Sequence, residues 1–323
     1  MDRRHRPRGD STLPLLTRGY AWLPDLRRRH PGPVVRVRLA GRPAVALHGP
    51  EAVRFFYDER HVRRAGALPE PVRSTLFGHG AVHSPDGRAH RLRKAMFLSL
   101  LADPAQVRAL VDEVGRAWDA AVERWAGQPR VVLLDEAARV LTEGVCRWAG
   151  LPLPPDGAAA FVAHTMHLRP EARAALAGGE PAHAWAFAQE VRRFYPFAPF
   201  VGGRAAADLT HRGEPIAEGT LVLLDLYGQN HDPALWGDPY AFRPGRFLER
   251  PDDVAQCVPQ GGGDPAAGHR CPGEAVEVGL LEGLSVRLAR LEYTLPAQDL
   301  TVRLGRTVAR PRSGFVIEAV RAG

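Results

Sequence analysis

The stretch Val34-Val35-Arg36-Val37-Arg38-Leu39 alternates apolar and charged side chains, and Gly41-Arg42-Pro43 turns it into Ala44-Val45-Ala46-Leu47. A period of two predicts a β-hairpin over 34–47 with one wet face. The period then changes to that of helices, over 50–56, 89–101 and 104–125, followed by a short strand-like run at 131–134 and a helix over 135–148. After the breaker Leu151-Pro-Leu-Pro-Pro-Asp-Gly157 come three more helices. The first is alanine-rich and ends at 167, the second covers 170–176, and the third covers 181–195, where Pro196 stops it. Residues 219–225 read as a buried strand, and 230–246, dense in Pro, Asp and Trp, as a long ordered loop. Residues 260–268 are glycine-rich, a strongly helical segment runs from Cys271-Pro-Gly-Glu274 to 291, and 293–320 alternates like short strands. No internal repeat is visible.

Composition narrows this picture. The 323 residues are 45% apolar and 24% charged, values of an ordinary folded chain, while 33 glycines and 29 prolines exclude a coiled coil. The formal charge of +7 is carried almost wholly by arginine, Lys94 being the single lysine. The arginines are scattered and not gathered with aromatics into a stripe, which argues against a nucleic-acid partner and leaves a positive face for an acidic protein or an anionic substrate. Arg3 to Arg8 read as part of a basic, disordered tail over 1–12. The rest divides into an N-terminal mixed helix-and-sheet part, 13–155, and a C-terminal part, 156–323, within one catalytic domain. Cys146, Cys257 and Cys271 lack metal-type spacing, and there is no signal peptide or 18-residue apolar run. A reducing cytoplasm and no membrane span are expected.

The chemistry concentrates at Gln260-Gly-Gly-Gly-Asp-Pro-Ala-Ala-Gly-His-Arg-Cys-Pro-Gly-Glu274, where a cysteine follows a glycine loop and directly precedes a helix. Free N–H groups and the helix dipole there stabilise a thiolate. Gly273 leaves room for something flat to approach the backbone. Three readings stand side by side: a buried structural cysteine, a Cys/His hydrolase poorly served by His269 two positions away, and an axial thiolate to haem iron. Elsewhere, Glu190 and Arg193 lie three apart on one helix face and can pair, and Arg246 in Phe242-Arg-Pro-Gly-Arg246-Phe247 can close a three-membered ion network if the loop folds back.

Taken in order, Glu190-x-x-Arg193, Asn230-His-Asp-Pro-x-x-Trp236-x-Asp-Pro, Phe242-Arg-Pro-x-Arg246-Phe and His269-x-Cys271-x-Gly273 resemble the cytochrome P-450 superfamily. Within it the chain is most similar to the bacterial fatty-acid peroxygenases, at Glu190-Val-Arg-Arg-Phe-Tyr-Pro-Phe197, Leu224-Asp-Leu-Tyr-Gly228, Pro259-Gln-Gly-Gly-Gly263, Gly268-His-Arg-Cys-Pro-Gly-Glu274 and Ser313-Gly-Phe315. Its N-terminal half agrees at Phe55-Phe-Tyr-Asp58, Ala67-Leu-Pro69, Leu76-Phe-Gly78, Ala89-His90, Arg93-Lys94 and Phe97-Leu-Ser-Leu100.

The resemblance implies a mainly α fold with small β-sheets (α+β), and an oxidoreductase using hydrogen peroxide on a fatty-acid-like substrate with no redox partner. Haem b would be its cofactor, the iron bound by Cys271, whose thiolate pushes electron density onto the metal and favours O–O cleavage. Glu190, Arg193 and Arg246 would form the structural ion triad. Arg64, His90, Arg93 and His269 would hold the haem propionates, and His83 would be the distal catalytic residue. The phenylalanine common in the superfamily ahead of the cysteine loop is absent here, as it is in the peroxygenases.

One departure bears on activity. Where the family runs through several helices and a long one crossing the distal face, only Pro154 to Met166 stands here. A 30 Å helix alone takes about 20 residues. The fold is therefore expected to be shortened by loss of the central helices. Arg169-Pro170 mimics the carboxylate-binding pair of the lost helix, but its ungapped spacing to Glu190 assigns it to the surface of the next helix, and His164-x-x-His167 reads as a solvated pair. Weakened activity follows, and the alternatives are a non-catalytic haem-binding remnant or a conventional monooxygenase fed by an electron donor.

Overall fold

The computed structural model describes residues 9–67, 82, 84–151, 170–305 and 309–321. The chain opens with α1 (Thr12–Arg18), a 3-10 turn and α2 (Trp22–Arg29), then β1 (Val34–Leu39), β2 (Arg42–Leu47), α3 (Pro50–Phe56) and β3 (Val62–Arg63). A helical layer follows, of α4 (Gly87–Leu101), α5 (Pro104–Trp125), β4 (Val131–Val132) and α6 (Leu133–Ala149), continued by α7 (Pro170–Ala177) and α8 (Pro181–Phe194). Next come β5 (Phe200–Ala205), β6 (Leu209–His211), β7 (Glu214–Ile216), β8 (Leu221–Asp225), and the short helices α9 (Leu226–Asn230), α10 (Pro233–Trp236) and α11 (Gly245–Glu249). The chain ends in α12 (Glu274–Arg290), β9 (Glu292–Thr294) and β10 (Val316–Arg321).

Asp10 and Ser11, within the stretch read as a basic tail, contact the hairpin. Ser11 donates its N–H to the Arg38 carbonyl at 2.8 Å, and the Gly41 N–H donates to the Asp10 carboxylate at 2.6 Å. The residues drawn as the end of a tail thus pin the hairpin. The hairpin is present, but residues 44–47 of β2 have no wet face: Val45 and Leu47 enter one apolar cluster while Ala44 and Ala46 enter another. The reason is position. The main sheet runs β1-β2-β8-β5-β3, with β2 paired parallel to β8 through Ala44↔Leu221 to Leu47↔Leu224. Where an interior strand is covered on both faces of its sheet, side chains on both faces are buried. The same sheet interlocks the N- and C-terminal parts, since β3 also pairs with β5. Within 230–246, read as loop, α10 forms because Asp232 caps it, accepting the Ala234 N–H at 2.9 Å.

The larger core lies among α5, α6, α12 and β10, around Val114, Trp118, Trp125, Leu133, Leu288 and Ile317. Asp103 caps α5, accepting the Ala105 N–H at 2.8 Å, and α6 ends on Gly150 in the left-handed region. Gly144 lets α5 and α6 touch, because a Cβ there would lie 2.6 Å from Val114 Cα. Gly144→Ala should therefore force the helices apart and cost roughly 1–3 kcal/mol, read as a lower urea midpoint at unchanged slope.

His231 caps α9 from a site 4% exposed, its Nδ1 2.9 Å from the Tyr227 carbonyl. Burial holds its pKa down at about 4, against 6.5 for a free imidazole. A depressed histidine leaves the folded state binding fewer protons than the unfolded one, so its contribution is intact above pH 6.5 and is lost as pH falls toward 4. From pH 7 to pH 5 this amounts to about 2 kcal/mol, and His231→Phe should flatten the fall in urea midpoint over that range.

Candidate active site

The glycine loop before Cys271 packs flush on α3. A side chain at Gly262 would meet Val53 Cγ1 at 2.5 Å and one at Gly263 would meet Tyr57 Cβ at 2.9 Å, and Gly261 and Gly263 have φ of 93° and 81°. Only glycine serves such a path. The loop fixes Cys271 through its backbone: the Cys271 N–H donates to the Gln260 carbonyl at 3.2 Å, across the base of the loop. The thiol is half-buried, and the Gly273 N–H donates to it at the start of α12.

The Gly273 N–H at the helix start favours the thiolate, and burial opposes it. Burial pushes the Cys271 thiol above its ordinary pKa of 9.0, Glu277 and Glu274 push the same way, and the Gly273 N–H and Lys94 pull against them without prevailing. Glu277 is itself raised to about 7, chiefly by burial.

Lys94, one position beyond the residue singled out in the sequence, is the cation on α4 that reaches this loop. Its side chain is 1% exposed and donates to the carbonyls of Gly268, at 3.1 Å, and Arg270. His90 and Lys94, four apart, form the buried face of α4, and Arg93 beside them is half-exposed. Nothing but tertiary contact separates Arg93 from Lys94.

His90 and His269 are brought together, their rings stacked with centroids 3.8 Å apart. His269 Nε2 lies 3.2 Å from Asp86 Oδ1, and Asp86 also accepts the N–H groups of Arg64 and Ala65, each at 2.8 Å. Arg64 lies over the Phe56 ring at 4.3 Å and donates to the Gly202 carbonyl at 2.9 Å. Burial holds His90 down at about 4, so it is neutral, and Nδ1 of both His90 and His269 is buried without a partner among the described residues. His83, Leu76-Phe-Gly78 and Arg169 lie outside the described residues.

The ion triad assembles. Arg193 grips Glu190 with two bonds of 2.8 Å and donates to the carbonyls of Asn230, Pro239 and Ala241. Arg246 Nε lies 3.1 Å from Glu190 Oε2 at an angle that makes the contact Coulombic, while its other nitrogens serve the carbonyls of Trp236, Asp238 and Ala241. All three side chains are at most 1% exposed. The triad thus closes the 230–246 segment onto α8.

These residues fit the haem that the sequence implies. A thiol with one face toward backbone N–H groups lies at one end of the short run 268–271, and spare imidazole nitrogens with a guanidinium lie at the other. That is the donor set an axial thiolate and two carboxylates require. A cavity of about 1650 Å³ between α5, α8 and α12 shares Arg192, Arg270 and Glu274 with this region, although Cys271 does not line it. Among the described residues no helix is long and apolar enough to cross a membrane.

A sequence profile of the cytochrome P-450 family matches residues 185–275. Cytochrome P-450 1A2 of Oryctolagus cuniculus is 36% identical over 141 residues, which are 41% of this chain and 27% of that protein. The chain thus spans about a quarter of the length of that curated relative. Among solved structures, cytochrome P-450SP alpha with bound (R)-ibuprophen superposes with a TM-score of 0.89 and 31% identity, covering 98% of this chain and 100% of the other. Cytochrome P-450 OleT with arachidonic acid superposes equally well, at 29% identity and 98% coverage of both chains.

Proposed function

The chain belongs to the cytochrome P-450 family, whose cofactor is cysteine-ligated haem, and from that premise we propose that it is a peroxide-driven oxidoreductase of fatty acids or similar amphiphiles. The observation that carries this reading is the placement of Cys271. Its loop is closed by its own N–H on Gln260, Lys94 holds the carbonyls beside it, and the Gly273 N–H at the start of α12 points to its sulfur. When bound, haem supplies the redox chemistry that no side chain of the chain can.

The residues would divide the remaining work. Cys271 binds the iron and donates electron density to it. His90, His269 and Arg64 would hold the two propionates, the imidazoles through ring N–H groups and the guanidinium as counter-charge. Asp86 orients His269 by the 3.2 Å contact at Nε2. We assign the proton step on peroxide to His83, on the resemblance. The fatty-acid substrate is supported by the structural likeness to OleT, solved with arachidonic acid, and independence from a redox partner rests on the sequence resemblance alone.

The test is the purified, haem-loaded protein with hydrogen peroxide and a long-chain fatty acid, scored for hydroxylated acid and for shortened terminal alkene. Product without any electron donor supports the reading. Turnover only with ferredoxin and its reductase identifies a conventional monooxygenase, and a reduced carbon-monoxide complex without the thiolate Soret band overturns haem ligation.

A further inference from the structure

Arg192 and Arg193 are sequence neighbours on α8 that serve different ends of the molecule. Arg193 closes the ion triad, whereas Arg192 turns the other way, toward the cysteine loop. The Arg192 side chain is 2% exposed. One nitrogen, Nη2, donates to Gln260 Oε1 at 2.9 Å and to Glu274 Oε1, Nη1 donates to Gln189 Oε1 at 2.5 Å, and Nε faces Glu277 Oε2 at 3.7 Å.

The two sides of this contact are the two flanks of Cys271. Gln260 opens the glycine loop, and its backbone carbonyl is the acceptor of the Cys271 N–H. Glu274 and Glu277 form the first turn of α12, just beyond the cysteine. One guanidinium therefore touches the chain before and after the sulfur. Glu274 is not short of a counter-charge without it, because Arg270 already grips it with bonds of 2.5 and 2.7 Å. What Arg192 adds is a charged bridge from helix to loop beside the direct Gln260–Glu277 hydrogen bond, across a segment whose glycines provide no stiffness of their own.

We propose that Arg192 is a positioning residue for the Cys271 sulfur, tying the loop at Gln260 to the helix start at Glu274 and Glu277. The assignment rests on Cys271 being the iron ligand. A planar guanidinium can serve these directions at once, and an ammonium cannot. The effect expected is on how long the iron–sulfur bond survives, because a loop free to move lets the sulfur protonate and leave.

The experiment follows the reduced carbon-monoxide complex of the haem-loaded protein at 25 °C, together with its reduction potential and melting temperature. The wild type is measured first, and lack of a thiolate-type band there fails the haem reading itself, not this one. Given that band, Arg192→Gln should lose it at least about tenfold faster than the wild type, and Arg192→Lys should restore only part of its lifetime. Gln260→Leu, which removes the loop-side acceptor of Arg192 together with the Gln260–Glu277 bond, should also shorten it. An Arg192→Gln protein that melts lower yet keeps the wild-type band lifetime and potential would make the residue merely structural and overturn the proposal. Should that variant not fold, a wild-type lifetime in Gln260→Leu overturns it equally.

Discussion

Cys271→Ala leaves a folded protein whose reduced carbon-monoxide complex lacks the thiolate Soret band and whose peroxide-driven oxidation falls at least about a hundredfold, to the level of free haem. The substitution removes one half-buried atom, with Leu101 as an adjoining apolar neighbour at Gly273, so the cost in stability stays within about 1 kcal/mol. The chemical loss is out of proportion to that. Cys146 and Cys257 are buried elsewhere, and burial raises Cys257 to about 12, so neither can take over as a ligand. The two readouts separate fold from function: urea unfolding should be nearly unchanged while spectrum and turnover collapse. Retained colour of the thiolate type in the alanine variant would remove the basis for the assigned chemistry.

Glu190→Ala should fail in the opposite way, by unfolding the protein. Glu190 is the sole carboxylate facing Arg193 and Arg246 in the described hydrogen bonds and ion pairs, and it also accepts the Arg243 N–H at 2.7 Å. Removing it strands two buried guanidinium ions. Breaking a buried ion pair by deleting one partner costs about 3–5 kcal/mol, a large share of the roughly 5–15 kcal/mol that holds a domain together. The expected result is insoluble expression or a urea midpoint lowered by more than that of any surface variant. Glu190→Gln, which keeps an acceptor but not the charge, should fall between. A Glu190→Ala protein with the wild-type midpoint would show that the buried arginines find enough compensation in their carbonyl partners alone.

How legible each part was depends on the range of the contact behind it. Glu190 and Arg193 are one helical turn apart, so their pairing is written locally, and the glycine run before Cys271 announces a backbone under constraint. The choice between Arg93 and Lys94 is not local. Both are basic, adjacent and helical, and only the packing of α4 on the cysteine loop turns Lys94 inward. Arg192 carried no signal either, because a second arginine beside the triad looks like an ordinary solvated residue until α12 is laid against α8. The helices α1 and α2 are too short, at seven and eight residues, to show a helical period, although Trp22 and Leu23 are 1% and 2% exposed. The β6–β7 hairpin was missed because its turn, with Arg212 at a φ of 50° before Gly213, interrupts a polar stretch with little alternation.

The parallel pairing of β2 with β8 has a consequence during synthesis. The hairpin leaves the ribosome with one flank of Ala44-Val45-Ala46-Leu47 unsatisfied, and its mate, Leu221 to Leu224, is some 170 residues further on. At roughly 5–20 residues per second, that flank waits on the order of ten to thirty seconds. A flat apolar edge exposed for so long invites stray partners, so the newborn chain is expected to depend on chaperones far more than the finished one.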